Sequence, residues 1–413
     1  MYISGHPALL YLLIVYSIIF LFKTKSKNEF LIILTIFIFF IEKNSWENGI
    51  VSLTVSPIRT QPSDIALLIL VFYIIKSRFN NVRVLPLAFN SKIISIFILF
   101  IFLFTYIGYF QFGYAAIAEF RSIYFFIIFL MFLSSNIHKD EIPNLIKTIS
   151  SYLIPIILLA PINLLLTLDF NFSIANRQFG ALMYESIVLG FIAGYLYYLY
   201  VDKEYKIVHK FLPVLIIMIP YTSHRTTWAL VFAILPILFF WQRNTKYFLT
   251  LLIIGIVSSI FIQVDTLFFE ERLTAFTDFN TDASGSWRLL IWNAVIDEAT
   301  LLGKGIGARF IVYAPVIGFK AMAGAHNGFI QTLYYLGYVG MFSLVGLIVF
   351  FLVSSFKKYR AVGNENTNKL IHRLSFLATI GLIMYMMGYG ADVISWIFIS
   401  FSLLLPKKTK III

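Results

Sequence analysis

The sequence predicts an all-α protein of the membrane: a polytopic integral membrane helical bundle of about 12–13 spans with one large extracytoplasmic loop. Of its 413 residues, 60% are hydrophobic and only 13% are charged, whereas soluble domains carry about 25% charged residues. Apolar segments recur along the whole chain, and the cations are divided unevenly between alternate loops. A soluble fold of this length cannot bury so much apolar surface, so the lipid bilayer must be its solvent.

The predicted spans are apolar segments separated by short polar connections. They lie near 7–22, 29–41, 64–79, 93–110, 122–136, 148–168, 184–200, 211–222, 226–241, 248–264, 326–354, 374–389 and 391–405. Several are shorter than the roughly 20 residues of a perpendicular span. This indicates tilting, interruption by proline or extension by interfacial aromatic residues. The segment 29–41 gives the weakest signal.

The Lys and Arg of the short loops predict the orientation. When loops alternate from 23–28 inside, the inner side holds 22 of the 32 cations and 6 of the 20 acids. The inside then carries +16 and the outside −4, which together give the net charge of +12. The excess of basic residues therefore reflects the orientation of the chain in the membrane, and no nucleic-acid partner is predicted. The N-terminus is predicted outside and the C-terminus inside.

The outer cations differ from the inner ones in residue type. Of the ten outer cations, seven are arginines, whereas 17 of the 22 inner cations are lysines. The outer arginines are Arg59, Arg121, Arg177, Arg225, Arg272, Arg288 and Arg309. Topology requires only positive charge, but bidentate binding of phosphate or carboxylate favours arginine. The excess therefore predicts an anion site on the outer face, although an arginine at a span end can also snorkel to the interface.

One connection, residues 265–325, is much longer than the others and is predicted to carry the chemistry, because loops of this length are usually functional or disordered. It divides the single membrane domain into 1–264, the loop itself and 326–413. Its "WRLLIWNAVIDEA" segment predicts an amphipathic helix on the membrane surface or on the bundle. Ser284 or Ser286 is predicted to cap this helix.

A glycine-rich segment, "LLGKGIGARF", follows that helix. Gly303, Gly305 and Gly307 can bring backbone N–H groups close to a phosphate. The same pattern is equally typical of a plain turn out of a helix, and it does not match a nucleotide-binding loop.

His326, in "AGAHNGF" at the start of a span, is the candidate general base. An imidazole can accept a proton from an attacking hydroxyl near neutral pH. The alternative is an interfacial hydrogen bond. The chain has no cysteine and no H-x-x-x-H or H-E-x-x-H spacing, so neither a metal site nor a cofactor is predicted. A serine nucleophile elbow is also absent.

Three groups of motifs occur in a characteristic order. "NRQFGALMYES" contains R-x-x-G, "TSHRTTWAL" contains a Ser-His-Arg element at the outer start of a span, and "SWRLLIWNAV" is followed by "GKGIGARF" and "AHNGFIQTLYYLGYVG". Together they resemble the O-antigen ligase and O-antigen polymerase superfamily across about residues 175–355. The Ser-His-Arg order departs from the usual Ser-Arg.

The resemblance implies metal-independent glycosyl transfer of GT-C type at the periplasmic face of the bacterial inner membrane. The implied donor is an undecaprenyl-diphosphate-linked oligosaccharide. By resemblance, His326 activates the acceptor hydroxyl, Arg225 and Arg288 hold the diphosphate, and Arg177 supports them. Arg121, at a span end, and Asn327, beside His326, complete the predicted substrate-binding residues.

The sequence favours a polymerase, because the deviant Ser-His-Arg element and the Phe- and Tyr-rich spans suit a divergent member of this superfamily. The acceptor would then be another lipid-linked repeat unit, and a chain-length regulator is a possible partner. A ligase that transfers the glycan to lipid A–core is the close alternative. A lipid-linked glycan transporter is the alternative of another class, although no internal repeat of the kind common in transporters is visible.

Overall fold

Helices and two short hairpins make up the computed structural model, which describes residues 8–48, 53–55, 58–60, 62–79, 92–113, 116, 121–167, 184–221, 225–242, 283–308, 311–314, 319–322, 327–361, 365–388 and 393–404. In chain order the elements are α1 (Ala8–Phe22), α2 (Lys27–Asn48), β1 (Leu53–Val55), β2 (Ile58–Thr60), α3 (Pro62–Phe79), α4 (Lys92–Phe112), α5 (Arg121–Asn136), α6 (Ile142–Ile156), α7 (Leu159–Thr167), α8 (Tyr184–Tyr200), α9 (Ile207–Tyr221), α10 (Arg225–Gln242), α11 (Ala283–Asp297), β3 (Ile311–Ala314), β4 (Phe319–Met322), α12 (Gly328–Ala361), α13 (Asn366–Gly388) and α14 (Val393–Leu404). Strand β1 pairs antiparallel with β2, and β3 pairs antiparallel with β4.

The predicted helical membrane bundle is confirmed. A helix lies at every predicted apolar segment except 248–264, which falls outside the described residues. Even the weakest segment is a 22-residue helix, α2. Within the described residues, four helical stretches could cross a membrane by length and composition, and they are Ile94–Phe112, Lys139–Ile162, Gly328–Arg360 and Asn366–Met387. The stretch Lys139–Ile162 runs through the break between α6 and α7. The same described residues include five shorter apolar helices. The two hairpins lie in connections and were not predicted.

The predicted segment 148–168 is broken into two helices, α6 and α7. Proline has no N–H to donate, and its ring clashes with the carbonyl four residues earlier. Pro161 therefore interrupts the helix at Ile157, and α6 ends at Ile156. Tighter backbone bonds close the break, with the Ile157 N–H donating to the Ile154 carbonyl at 3.3 Å.

One part of the buried core lies between α5, α12, α13 and α14. The indole of Trp396 on α14 is 1% exposed, and its ring centroid is 4.3 Å from that of Phe126 on α5. Hydroxyl contacts of 3.0 and 2.8 Å join Ser355 on α12, Ser375 on α13 and Ser402 on α14 in a buried chain. Burying aromatic side chains supplies most of the packing energy here, while the hydroxyl chain aligns the three helices.

Large apolar side chains are exposed along the outside of the bundle. On α4, Leu99 and Phe110 are each 71% exposed, and Leu68 on α3 is 69% exposed. Monomeric soluble proteins rarely expose apolar surface continuously. These helix faces therefore fit contact with lipid acyl chains, as a multi-pass membrane protein requires.

Helix ends that the charge count assigns to the same side lie together in the structure. The side-chain amide of Asn28 donates to the Asn136 carbonyl at 2.9 Å, and the Lys147 ammonium pairs with Asp202 at 3.4 Å. All four residues border predicted inner loops. The alternation of loops is thus consistent with the packing of the helices.

Candidate functional site

Two of the predicted site residues are described with their side chains. Arg288 lies on α11 and is half-buried, and Asn327 lies immediately before α12 and is 8% exposed. Arg225 and Arg121 are the first residues of α10 and α5, and their side chains lie outside the described residues. His326 and Arg177 lie outside the described residues altogether.

Helix α12 is broken at Gly337, where φ is +66° and ψ is −166°. The break leaves carbonyl groups of the first part of the helix without intrahelical donors. The glycine-rich segment after α11 supplies two of these donors. The Lys304 N–H donates to the Tyr334 carbonyl at 2.9 Å, and the Gly305 N–H donates to the Tyr335 carbonyl at 3.0 Å.

The same glycine-rich segment also supplies acceptors for N–H groups of the second part of α12. The Tyr338 N–H donates to the Thr300 carbonyl at 3.2 Å, and the Val339 N–H donates to the Leu301 carbonyl at 3.2 Å. Residues 300–305 therefore bond to both sides of the break, and we call this arrangement the glycine clasp. It satisfies backbone groups that would otherwise be buried unpaired at considerable cost.

The glycine clasp requires glycine at two positions. A Cβ on Gly337 would lie 2.4 Å from the Gly303 nitrogen and from the Leu301 carbonyl oxygen. A Cβ on Gly303, where φ is +75°, would lie 2.5 Å from the Gly337 nitrogen. The N–H groups of Lys304 and Gly305 are thus bound to α12 and do not form a phosphate cradle. The turn interpretation of this segment is the correct one, and the turn serves to join the large loop to α12.

Helix α11 packs on the first part of α12, so the predicted amphipathic helix lies against the bundle. Ile291 and Val295, both fully buried, form a small core with Leu333. The helix begins at Ala283, earlier than predicted, so Ser284 and Ser286 lie in its first turn rather than ahead of it.

This packing determines where Arg288 lies relative to the start of α12. Arg288, Ile291 and Val295 are spaced three and four residues apart, so they share one face of α11. Because Thr300 bonds to Tyr338, α11 and the first part of α12 run in the same direction. Arg288, one turn before Ile291, therefore lies toward the end of α12 that follows His326 in the sequence.

Asn327 caps α12. Its side-chain oxygen accepts hydrogen bonds from the Phe329 N–H at 2.9 Å and from the Ile330 N–H at 3.2 Å. Asparagine is among the preferred N-cap residues because it satisfies donors that have no intrahelical partner. The oxygen thus has a structural role, and substrate binding by Asn327 stays a prediction.

We expect Asn327→Ala to destabilise the protein by about 1 kcal/mol, because the first N–H groups of α12 lose their acceptor. Asn327→Asp keeps an accepting oxygen and is the matched control. Thermal unfolding of both purified variants measures the difference. If the alanine variant melts with the wild type, the cap does not contribute. Loss of activity in the aspartate variant at full stability would support substrate binding.

A buried carboxylate, which the sequence analysis did not single out, joins two of the predicted motifs. Glu185, in the first turn of α8, is 2% exposed, and its Oε1 accepts a hydrogen bond from the Thr227 hydroxyl at 3.0 Å. Glu185 is the second-to-last residue of the "NRQFGALMYES" motif, and Thr227 lies two residues after Arg225 in "TSHRTTWAL". The two motifs therefore meet at the starts of α8 and α10. The sequence signal that could have identified Glu185 was an acidic residue at the beginning of an apolar segment.

Metal ligands do not cluster within the parts of the chain that the structure describes: no three His, Asp or Glu side chains are placed to share an ion. The prediction that no metal is required is not tested by this observation, because His326 lies outside those parts.

A comparison with protein families finds one relation. A family model described as O-antigen ligase matches residues 211–345. The matched region extends from α9 to the first half of α12 and includes Thr227, α11 and the glycine clasp. No curated protein and no solved structure matches the chain.

Proposed function

We propose, from the match of residues 211–345 to a family model described as O-antigen ligase, that the chain polymerises a surface polysaccharide. In this reaction a glycan on undecaprenyl diphosphate is transferred to a second lipid-linked repeat unit at the periplasmic face of the inner membrane. The family relation supports a membrane enzyme resembling glycosyltransferases. The choice of polymerase, the lipid carrier and the face of the membrane are parts of the proposal.

In the proposed mechanism, His326 removes the proton from the acceptor hydroxyl. The acceptor oxygen attacks the anomeric carbon of the donor sugar, and the bond between that carbon and the diphosphate oxygen breaks. Undecaprenyl diphosphate leaves with the bonding electron pair. Arg225 and Arg288 bind the diphosphate and stabilise its developing charge, with Arg177 in support. Arg121 and Asn327 are proposed as further substrate contacts. No metal or cofactor takes part.

The packing of α11 on the first part of α12 is the main observation that supports this mechanism. Arg288 shares the face of α11 that packs on the first part of α12, and α12 begins one residue after Asn327. This packing supports the proposal that Arg288 acts together with His326. A general base and a cation for the leaving group must lie on either side of one reacting carbon. The four backbone bonds of the glycine clasp hold the two helices in this relation.

The glycan profile of a deletion strain tests polymerase against ligase. For a polymerase, the ladder of long chains disappears while a single repeat unit remains attached to lipid A–core. For a ligase, all attached repeats disappear and lipid-linked polymer accumulates. The second outcome would contradict the proposed acceptor and favour the ligase alternative. A complemented strain that regains the original ladder serves as the control.

Purified protein separates an enzyme from a transporter. In detergent there is no membrane to cross, so a transporter of lipid-linked glycans leaves its substrate unchanged, whereas a polymerase lengthens the glycan. A chain-length regulator, if one is a partner, would change the distribution of lengths without being required for bond formation.

A further inference from the structure

Glu185 occupies an unusual position for an acid. Three consecutive residues in the first turn of α8, Tyr184, Glu185 and Ser186, are each at most 2% exposed. The ends of helices normally lie at the surface of a protein, but this one is enclosed. Burying a carboxylate costs free energy unless donors or cations compensate it. Because of this desolvation cost, Glu185 differs from acidic residues at a protein surface, which stay solvated and improve solubility.

Two structural features favour a negative charge at Glu185. It is the second residue of α8, where the helix N-terminus carries partial positive charge. The Thr227 hydroxyl also donates a hydrogen bond to it, at 3.0 Å. Hydrogen bonds to a charged acceptor are stronger than those between neutral groups. The contact therefore ties α8 and α10 together firmly at this end.

The hydrogen bond between Thr227 and Glu185 constrains the helical turn that contains Arg225. Thr227 is fully buried and lies within the first turn of α10, which begins at Arg225. The backbone of a helical turn is stiff, so a hydroxyl held at the third residue also constrains the backbone of the first. A shift of about 1 Å in a group that positions substrate can reduce the rate by about a hundredfold.

We propose that Glu185 is a positioning residue for the diphosphate site: through Thr227 it holds the first turn of α10 against α8 and thereby places Arg225. The inference rests on the proposed function, because it assumes that Arg225 binds the leaving diphosphate. Glu185 itself takes no part in proton transfer in this proposal. Its carboxylate acts through the hydroxyl of Thr227 on the orientation of the helix start.

The test compares isosteric variants. Thr227→Val removes the donor but keeps the shape, and Thr227→Ser keeps the donor. Thr35→Val is the matched control, since Thr35 on α2 is also buried but donates only to the Leu31 carbonyl of its own helix. Each purified protein is measured for thermal unfolding, for kcat and KM with a lipid-linked oligosaccharide, and for binding of undecaprenyl diphosphate.

We expect Thr227→Val to lower kcat/KM by about ten- to a hundredfold and to weaken undecaprenyl diphosphate binding by a similar factor. Thr227→Ser should restore both, and Thr227→Val should melt no lower than Thr35→Val. Glu185→Gln retains an accepting oxygen without the charge and should lie between wild type and Thr227→Val.

Equal binding and turnover in Thr227→Val and Thr35→Val would overturn the inference. So would a loss confined to the amount of folded protein, because a merely structural contact leaves the activity per folded molecule unchanged. Failure of the proposed function looks different: the wild type itself would then transfer no glycan. In that case the comparison of undecaprenyl diphosphate binding still decides whether Glu185 and Thr227 shape an anion site.

Discussion

His326→Ala is expected to abolish measurable glycan elongation while the protein remains folded in the membrane. A positioned general base contributes about 10²–10⁴ to the rate, so kcat should fall by that factor. Water can replace the imidazole only poorly, because the acceptor hydroxyl must lose its proton as it attacks. Turnover of a lipid-linked oligosaccharide by purified variant and wild-type protein measures the loss.

Two comparisons make this result specific. The His326→Ala protein should still bind undecaprenyl diphosphate, because the arginines that are proposed to hold it are unchanged. His138→Ala is the matched control, since His138 is exposed, pairs with Asp140 at 3.0 Å and borders a predicted inner loop. It should elongate glycan at the wild-type rate. Elongation by His326→Ala at that same rate would show that His326 is not the base.

Gly337→Ala is expected to open the glycine clasp and to inactivate the protein. The added Cβ would lie 2.4 Å from backbone atoms of Gly303 and Leu301, and side chains cannot relieve an overlap with backbone. The positive φ adds about 1–2 kcal/mol for any residue with a Cβ. Residues 300–305 must therefore move away from α12, and α11 with Arg288 moves with them. We expect a destabilisation of at least about 2 kcal/mol.

Gly346→Ala on the same helix is the control, because a Cβ there meets no other atom within 4 Å. This variant should melt and turn over as the wild type does, since alanine is a better helix former than glycine. Gly303→Ala should reproduce the loss from the other side of the clasp. A Gly337→Ala protein with normal melting and normal activity would mean that the clasp does not position the site.

Hydropathy alone located nearly all of the helices, because the bilayer requires each span to be apolar along most of its length. What hydropathy could not locate were the breaks. The segment that predicted one span at 326–354 contains a break at Gly337, and the segment 148–168 contains one near Ile157. Apolar composition continues through both breaks. Pro161 is a sequence signal for the break near Ile157, whereas backbone bonding reveals the break at Gly337.

In the candidate site, too, the sequence indicated residue types, whereas only the fold showed which residues contact each other. Arg288 was predicted to be an outer arginine, but its relation to α12 depends on Ile291, Val295 and Leu333, which are ordinary apolar residues in the sequence. Glu185 was missed because one acid at the start of a span is indistinguishable from an interfacial charge. Its burial and its bond to Thr227, 42 residues later, appear only in the fold.

The sequence by itself determined the class of protein and the order of its described apolar helices, and it predicted which residue types lie on the outer face. These are properties of composition and local pattern, and the solvent selects them residue by residue. Only the tertiary structure decided that the glycines of the large loop complete a broken helix, and that α8 and α10 are joined through Glu185 and Thr227. Those features depend on contacts between segments far apart in the chain, where backbone polar groups and a buried charge find their partners.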